Sequence, residues 1–154
     1  MSPDKERVIE LIRSSFKGVV LGNGIGLRQG DAIDEYADEA TYNARREEDE
    51  KFNWAAITAE NLNKYYAALS YFDAEGMRFH IPAFIIADIE GKLGVDPVFH
   101  LTQLEDYSRG KLTLLSQTQR AAIREYLLLI KDDPNYRVDL PHIEMSLRDY
   151  WTAD

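Results

Sequence analysis

Asp73, Glu75, Arg78 and His80 lie within eight residues of one another, in the run Phe72-Asp-Ala-Glu-Gly-Met-Arg-Phe-His-Ile-Pro82. Two carboxylates and an imidazole so close together could supply a general acid–base set, with the arginine holding an anionic group of a substrate. The same residues also have a structural reading. Asp73 to Gly76 has turn-forming composition, Arg78 could pair with a carboxylate such as Asp88, and His80 could simply sit at a helix start. Other chemistry is scarce. His80, His100 and His142 are too far apart in sequence for a recognised metal motif, and Glu47, Glu48 and Glu50 have Arg45 and Lys51 as ready partners. The chain has no cysteine and no Gly-x-Ser-x-Gly elbow. No metal and no cofactor is expected.

A second constellation is acidic. Residues 31–50 carry nine acids and two arginines, a local balance of −7 within a chain whose net charge is −9. Spacing over Asp31 to Tyr42 predicts one amphipathic helix. Ile33, Tyr36, Ala37 and Ala40 would lie on its apolar face, opposite Asp31, Asp34, Glu35 and Asp38, with Glu39 at the margin. Such a face either keeps the protein soluble or meets a basic partner.

A third candidate is the glycine-rich stretch. Five of the nine glycines fall between residues 18 and 30, and Val19-Val20-Leu21 followed by Gly22-Asn23-Gly24-Ile25-Gly26 invites a phosphate-binding reading. The spacing rejects it. A dinucleotide fingerprint starting at Gly22 needs glycine where Leu27 stands, one starting at Gly24 needs it where Gln29 stands, and no Gly-Lys-Ser/Thr end follows. A tightly folded, ordered loop is expected instead.

These candidates must be held by helices. Ile81 to Ala87 is uncharged, Pro82 suits a first helical position, and Gly91 suits the place just past the end. A helix over about 82–90 would be apolar all round, hence buried and central. It is far shorter than the roughly 20 residues a bilayer span needs. Asp88 would sit at the negative end of this helix and so would need a donor, Arg78 or Arg120. Ser2-Pro3-Asp4 opens a first helix, Thr58 caps another, and Ser116-x-x-Gln119 is a capping box. Val98 to Thr102 and Lys111 to Leu114 could pair as a short β-hairpin, over about 98–102 and 111–114. The fold expected over residues 1–154 is a single, compact, mainly α domain around the 82–90 helix.

Charge narrows the partners. A balance of −9 argues against nucleic acid and against an anionic membrane surface, and it permits a basic protein. With no apolar signal core at Met1 to Arg7 and no transmembrane run, a cytoplasmic location is expected.

The block Phe72-Asp73-Ala74-Glu75-Gly76-Met77-Arg78-Phe79-His80-Ile81-Pro82-Ala83-Phe84 is not generic. Together with Gly22 to Leu27, Ile33 to Tyr36 and Leu115 to Arg120, it resembles an uncharacterised bacterial family, a domain of unknown function, from about Phe16 to Leu128. The resemblance implies one cytoplasmic domain and brings no activity, ligand or catalytic residue with it. Three functions stay open. One is a protein-interaction module of the inhibitor or immunity type, with Asp31, Asp34, Glu35, Asp38 and Glu39 meeting a basic partner. Another is an enzyme using Asp73, Glu75, Arg78 and His80. The third is a small-ligand domain built on the glycine loop.

Overall fold

The computed structural model describes residues 1–153. Nine α-helices are present among them: α1 Pro3–Ser15, α2 Leu27–Asp34, α3 Glu39–Glu48, α4 Ala59–Lys64, α5 Ala74–Ile89, α6 Val98–Thr102, α7 Asp106–Gly110, α8 Gln117–Lys131 and α9 Leu140–Asp149. Three 3-10 segments join them, at Trp54–Ala56, Tyr66–Ser70 and Pro134–Asp139. None of the described helices is long and apolar enough to cross a membrane.

Helix α5 is the axis, as its composition requires. Met77, Phe79, Ile81, Phe84 and Ile85 are all within 1 % of complete burial, and one continuous hydrophobic cluster runs from Val8 of α1 through α5 to Trp151. Helix α5 is longer than the expected 82–90. Asp73 caps it, so it starts at Ala74, and Pro82 falls inside the helix rather than at its first position. The proline removes one helical N–H and its ring crowds the preceding turn. Burial on every side of α5 offsets that local cost. At the far end Gly91 (φ 73) reverses the chain. Its N–H donates to Asp88, and the Lys92 N–H donates to Ala87. This is a Schellman ending with glycine in the left-handed position.

Helices α1 and α8 pack along each other, with α1 also against α5, and α9 closes over α6 and α8. The Ser116–Gln119 capping box forms as its sequence predicts, and the Gln119 amide also donates to Ser15, tying α8 to the end of α1. Two buried indoles act as cross-ties: Trp54 donates to the Phe16 carbonyl at 2.9 Å and Trp151 to the Leu101 carbonyl at 2.8 Å.

The β-hairpin does not form. Residues 98–102 are helix α6, and 111–114 are a turn after α7. Asp96 accepts from the Val98 N–H at 2.9 Å and so starts α6. Val98, Leu101 and Thr102 are buried while Phe99 is half exposed, which is a helical rather than an alternating pattern.

Candidate functional site

The Asp73–His80 segment and the glycine loop form one close junction, buried at Gly24, Gly76 and His80 and open to solvent at Gly22 and Asn23. Asp73 Oδ1 accepts from the Gly76 N–H at 2.9 Å, the normal N-cap bond, and also from the Ile25 N–H at 3.0 Å. Glu75 Oε2 accepts from the Asn23 N–H at 3.3 Å. On the loop's other side Arg46 of α3 donates to the Gly24 carbonyl at 3.2 Å and to the Gly22 carbonyl at 2.6 Å. The loop's N–H groups at Asn23 and Ile25 are thus committed to carboxylates, which is the opposite of a phosphate cradle. The contact is close because side chains are missing. A Cβ on Gly24 would lie 2.8 Å from the Glu75 Cβ, and one on Gly76 would lie 2.5 Å from the Ile25 carbonyl oxygen.

His80 is fully buried in this junction. Its Nδ1 lies 2.7 Å from the Gly76 carbonyl oxygen, so it carries the proton and donates. The ring stacks on Phe72, with centroids 4.3 Å apart, and meets Phe79 edge-on. Burial pushes the imidazole down to about 4, against an opposing pull from the Gly76 carbonyl and the Asp73 charge. It is therefore neutral at physiological pH. Among the described residues its Nε2 has no hydrogen-bond partner, nor does the Nε of Arg78. Asp73 and Glu75 are half-buried and hold backbone, Arg78 is half-exposed, and His80 is sealed behind Phe72. The four residues are neighbours in sequence, but Asp73, Glu75 and His80 each hold a backbone partner of their own rather than one another.

Asp88 finds neither Arg78 nor Arg120. Its Oδ2 accepts from the hydroxyls of Tyr126 and Tyr136, both at 2.5 Å, while Arg120 donates to the Tyr150 carbonyl and lies over the Tyr150 and Trp151 rings. Burial first, and Asp88 second, push both phenols up. Next to this cluster Asp96, beside Asp139, is pushed up to about 6, chiefly by burial. Among the described residues no three His, Asp or Glu side chains converge to hold a metal ion.

The acidic stretch is not one helix. Helix α2 stops at Asp34, Tyr36 takes φ 58, and α3 begins at Glu39 with Asp38 as its cap, bonded to the Thr41 N–H at 2.8 Å. The reason is local. A short carboxylate at position 38 satisfies the orphan N–H groups of a new helix better than it serves a helix interior. The break also spares the chain a continuous ladder of like charges at helical spacing. The Tyr36 N–H donates to Ile33 and the Ala37 N–H to Ala32, so α2 ends in the same Schellman pattern as α5. The left-handed conformation costs a side-chain-bearing residue about 1 kcal/mol.

Around this turn Asp34, Glu35, Asp38 and Glu39 are exposed and Asp31 is half-buried. Asp34 accepts from the Tyr71 hydroxyl at 3.1 Å, and Glu35 lies 3.7 Å from Arg45. Burial, then the neighbouring Glu35, raises the Asp31 carboxyl. Tyr36, expected on the apolar face, is 95 % exposed.

Two residues that organise these sites have no sequence motif. Arg46 clasps the glycine loop. Asp49, inside the polar run 45–51, is buried and accepts from the Arg28 and Gln29 N–H groups at 2.7 and 3.2 Å, capping α2 from a distance. Gly26 is the formal cap, and a side chain there would collide with the Asp49 carboxylate.

Comparison with curated proteins and with solved structures finds no match. A family profile, described as a family of unknown function (DUF6714), matches residues 4–154, nearly the whole chain and more than the Phe16 to Leu128 span of the resemblance. The chain belongs to that family of unknown function.

Proposed function

We infer that this is a single-domain cytoplasmic interaction module, of the inhibitor or immunity type, that binds a basic protein through the turn between α2 and α3. The observation that supports it is the exposure of Asp34, Glu35, Asp38 and Glu39 around one turn, with Asp31 beside them. A carboxylate cluster at the surface steers a cationic partner and disfavours nucleic acid and anionic lipid. The internal duties of Asp38 and Asp34 do not remove their charge from the surface. A cap bond to a backbone N–H holds Asp38 in its ionised form, and its carboxyl lies below the usual range for that reason.

The test is affinity capture from native lysate at low and high salt. It compares the wild type with a variant carrying Asp31→Asn, Asp34→Asn, Glu35→Gln, Asp38→Asn and Glu39→Gln. A stoichiometric basic partner, held by the wild type, released by salt and lost by the folded variant, is the expected result. A partner indifferent to these changes, or none, ends this reading.

A further inference from the structure

Four described positions have positive φ: Gly18, Gly22, Gly91 and Tyr36. Three are glycines, for which this conformation is inexpensive. The fourth carries a large ring. Tyr36 makes the same hydrogen-bond pattern at the end of α2 that Gly91 makes at the end of α5, so the backbone there is served best by glycine. The ring gives the fold nothing in return, being 95 % exposed. Folding therefore gives no reason for a tyrosine at this position.

The ring is not alone. The Tyr71 hydroxyl donates to Asp34, two residues before Tyr36 in the chain, and Tyr107 reaches the residue before Tyr71, so the three tyrosines share one neighbourhood. Tyr107 donates to the Ser70 carbonyl at 2.8 Å and is 66 % exposed. The result is an exposed aromatic surface beside carboxylates. Its occupant follows from charge. Anionic lipid headgroups and nucleic-acid phosphates are repelled by the acids, and a second copy of this chain brings the same net charge of −9. A cation is drawn by the acids and by the faces of the rings alike. Of the two cationic side chains, arginine is planar, stacks on aromatic rings and forks onto a carboxylate, which an ammonium does not.

We propose that Tyr36, with Tyr71 and Tyr107 beside it, is the anchor of a docking surface for an arginine-bearing protein segment, the guanidinium lying on the Tyr36 ring within reach of Asp34 or Glu35. This rests on the interaction-module reading and names the partner's chemistry and the residue that grips it.

The test uses the full chain and a fluorescent peptide of five Arg-Gly repeats, with Lys-Gly and citrulline-Gly peptides for comparison, read by anisotropy at low salt. Melting temperature is followed in parallel. The wild type is expected to bind the arginine peptide more tightly than the lysine peptide, and the citrulline peptide not at all. Tyr36→Gly should weaken the arginine peptide at least about fivefold while raising the melting temperature, so that the loss cannot be a folding defect. Tyr36→Phe should bind as the wild type does, because the ring face and not the hydroxyl makes the contact. Tyr36→Gly binding like the wild type would overturn the anchor. If Glu35→Gln with Glu39→Gln then weakens binding, the acidic interaction reading survives without it. A wild type that binds no arginine peptide overturns the anchor, and one that binds neither the arginine nor the lysine peptide counts against the acidic reading as well.

Discussion

Helices α2 and α5 end in the same way and with different residues. At each, an N–H past the last turn reaches back to a carbonyl five residues earlier and the chain passes through a left-handed residue. At α5 that residue is Gly91, where an added side chain would meet nothing within 4 Å, so glycine is there for its backbone alone. At α2 it is Tyr36, a ring in open solvent. The close junction at the start of α5 lies at the other extreme, since Gly24 and Gly76 are required by atoms that leave no room for a side chain. Where packing dictates a residue, the fold explains it. Where packing is absent and the backbone objects, the explanation has to come from outside the fold.

The largest effect expected in that junction is that of pH. Folded His80 stays neutral down to about 4, whereas the unfolded chain takes up that proton near 6.5. Its contribution is therefore complete above 6.5 and is lost as pH falls towards 4, on the order of 3 kcal/mol for a fully buried group. His100, pushed down to about 4 by burial and then by Lys111, acts in the same direction. Asp96 opposes them. Its folded carboxyl holds a proton below about 6 that the unfolded carboxyl releases until 3.8, so it favours folding as pH falls through that window. Urea melts from pH 7 to 4 should show stability falling, and Asp96→Asn should steepen the fall. A flat profile in the Asp96→Asn variant, where Asp96 no longer offsets the histidines, would mean that His80 is not buried neutral.

Gly76→Ala should come next, costing about 3 kcal/mol, because its methyl group meets the Ile25 carbonyl and the Asp73 carboxylate. Asp73→Ala should cost about 2 kcal/mol, since it frees two N–H groups, at Gly76 and Ile25, where an ordinary cap frees one. Chemical denaturation measures both. If Asp73→Ala costs no more than a surface substitution, the loop is not held through that side chain.

The helix ends give the smallest effects and the cleanest contrast. Gly91→Ala should lose about 1 kcal/mol and Tyr36→Gly should gain up to about 1 kcal/mol, with melting temperatures moving by roughly 2–4 °C in opposite directions. The same sign at both ends would show that the Tyr36 ring contributes to stability after all.

Much of this was legible in the chain itself. The uncharged run 81–87, Thr58 and the Ser116–Gln119 box each announce a helix, because burial and capping act over a few residues. Gly91 announces an ending for the same reason. The spacing of Gly22, Gly24 and Gly26 was enough to refuse a phosphate loop. Local sequence misleads where two signals compete. Pro82 reads as a first position, but the Asp73 cap lies nine residues earlier and prevails. Asp31 to Tyr42 has helical spacing throughout, yet Asp38 starts its own helix. Val98 to Thr102 is short and apolar, and period alone does not decide such a run. Arg46, Asp49 and the Tyr126–Asp88–Tyr136 group were out of reach. Their partners lie between 20 and 48 residues away, and nothing local marks them.

The clasp of Arg46 and Asp73 on either side of the glycine loop bears on how the molecule opens. A stretch with so many glycines, partly at the surface, would ordinarily release its amide hydrogens to solvent within seconds and offer itself to proteases. Here the amides of Asn23 and Ile25 are held by the first turn of the central helix, and the carbonyls of Gly22 and Gly24 by the end of α3. The loop cannot open unless one of those helices frays. Its amides should exchange in step with the start of α5, making residues 22–25 part of the slowest-opening unit of the protein rather than of its fringe.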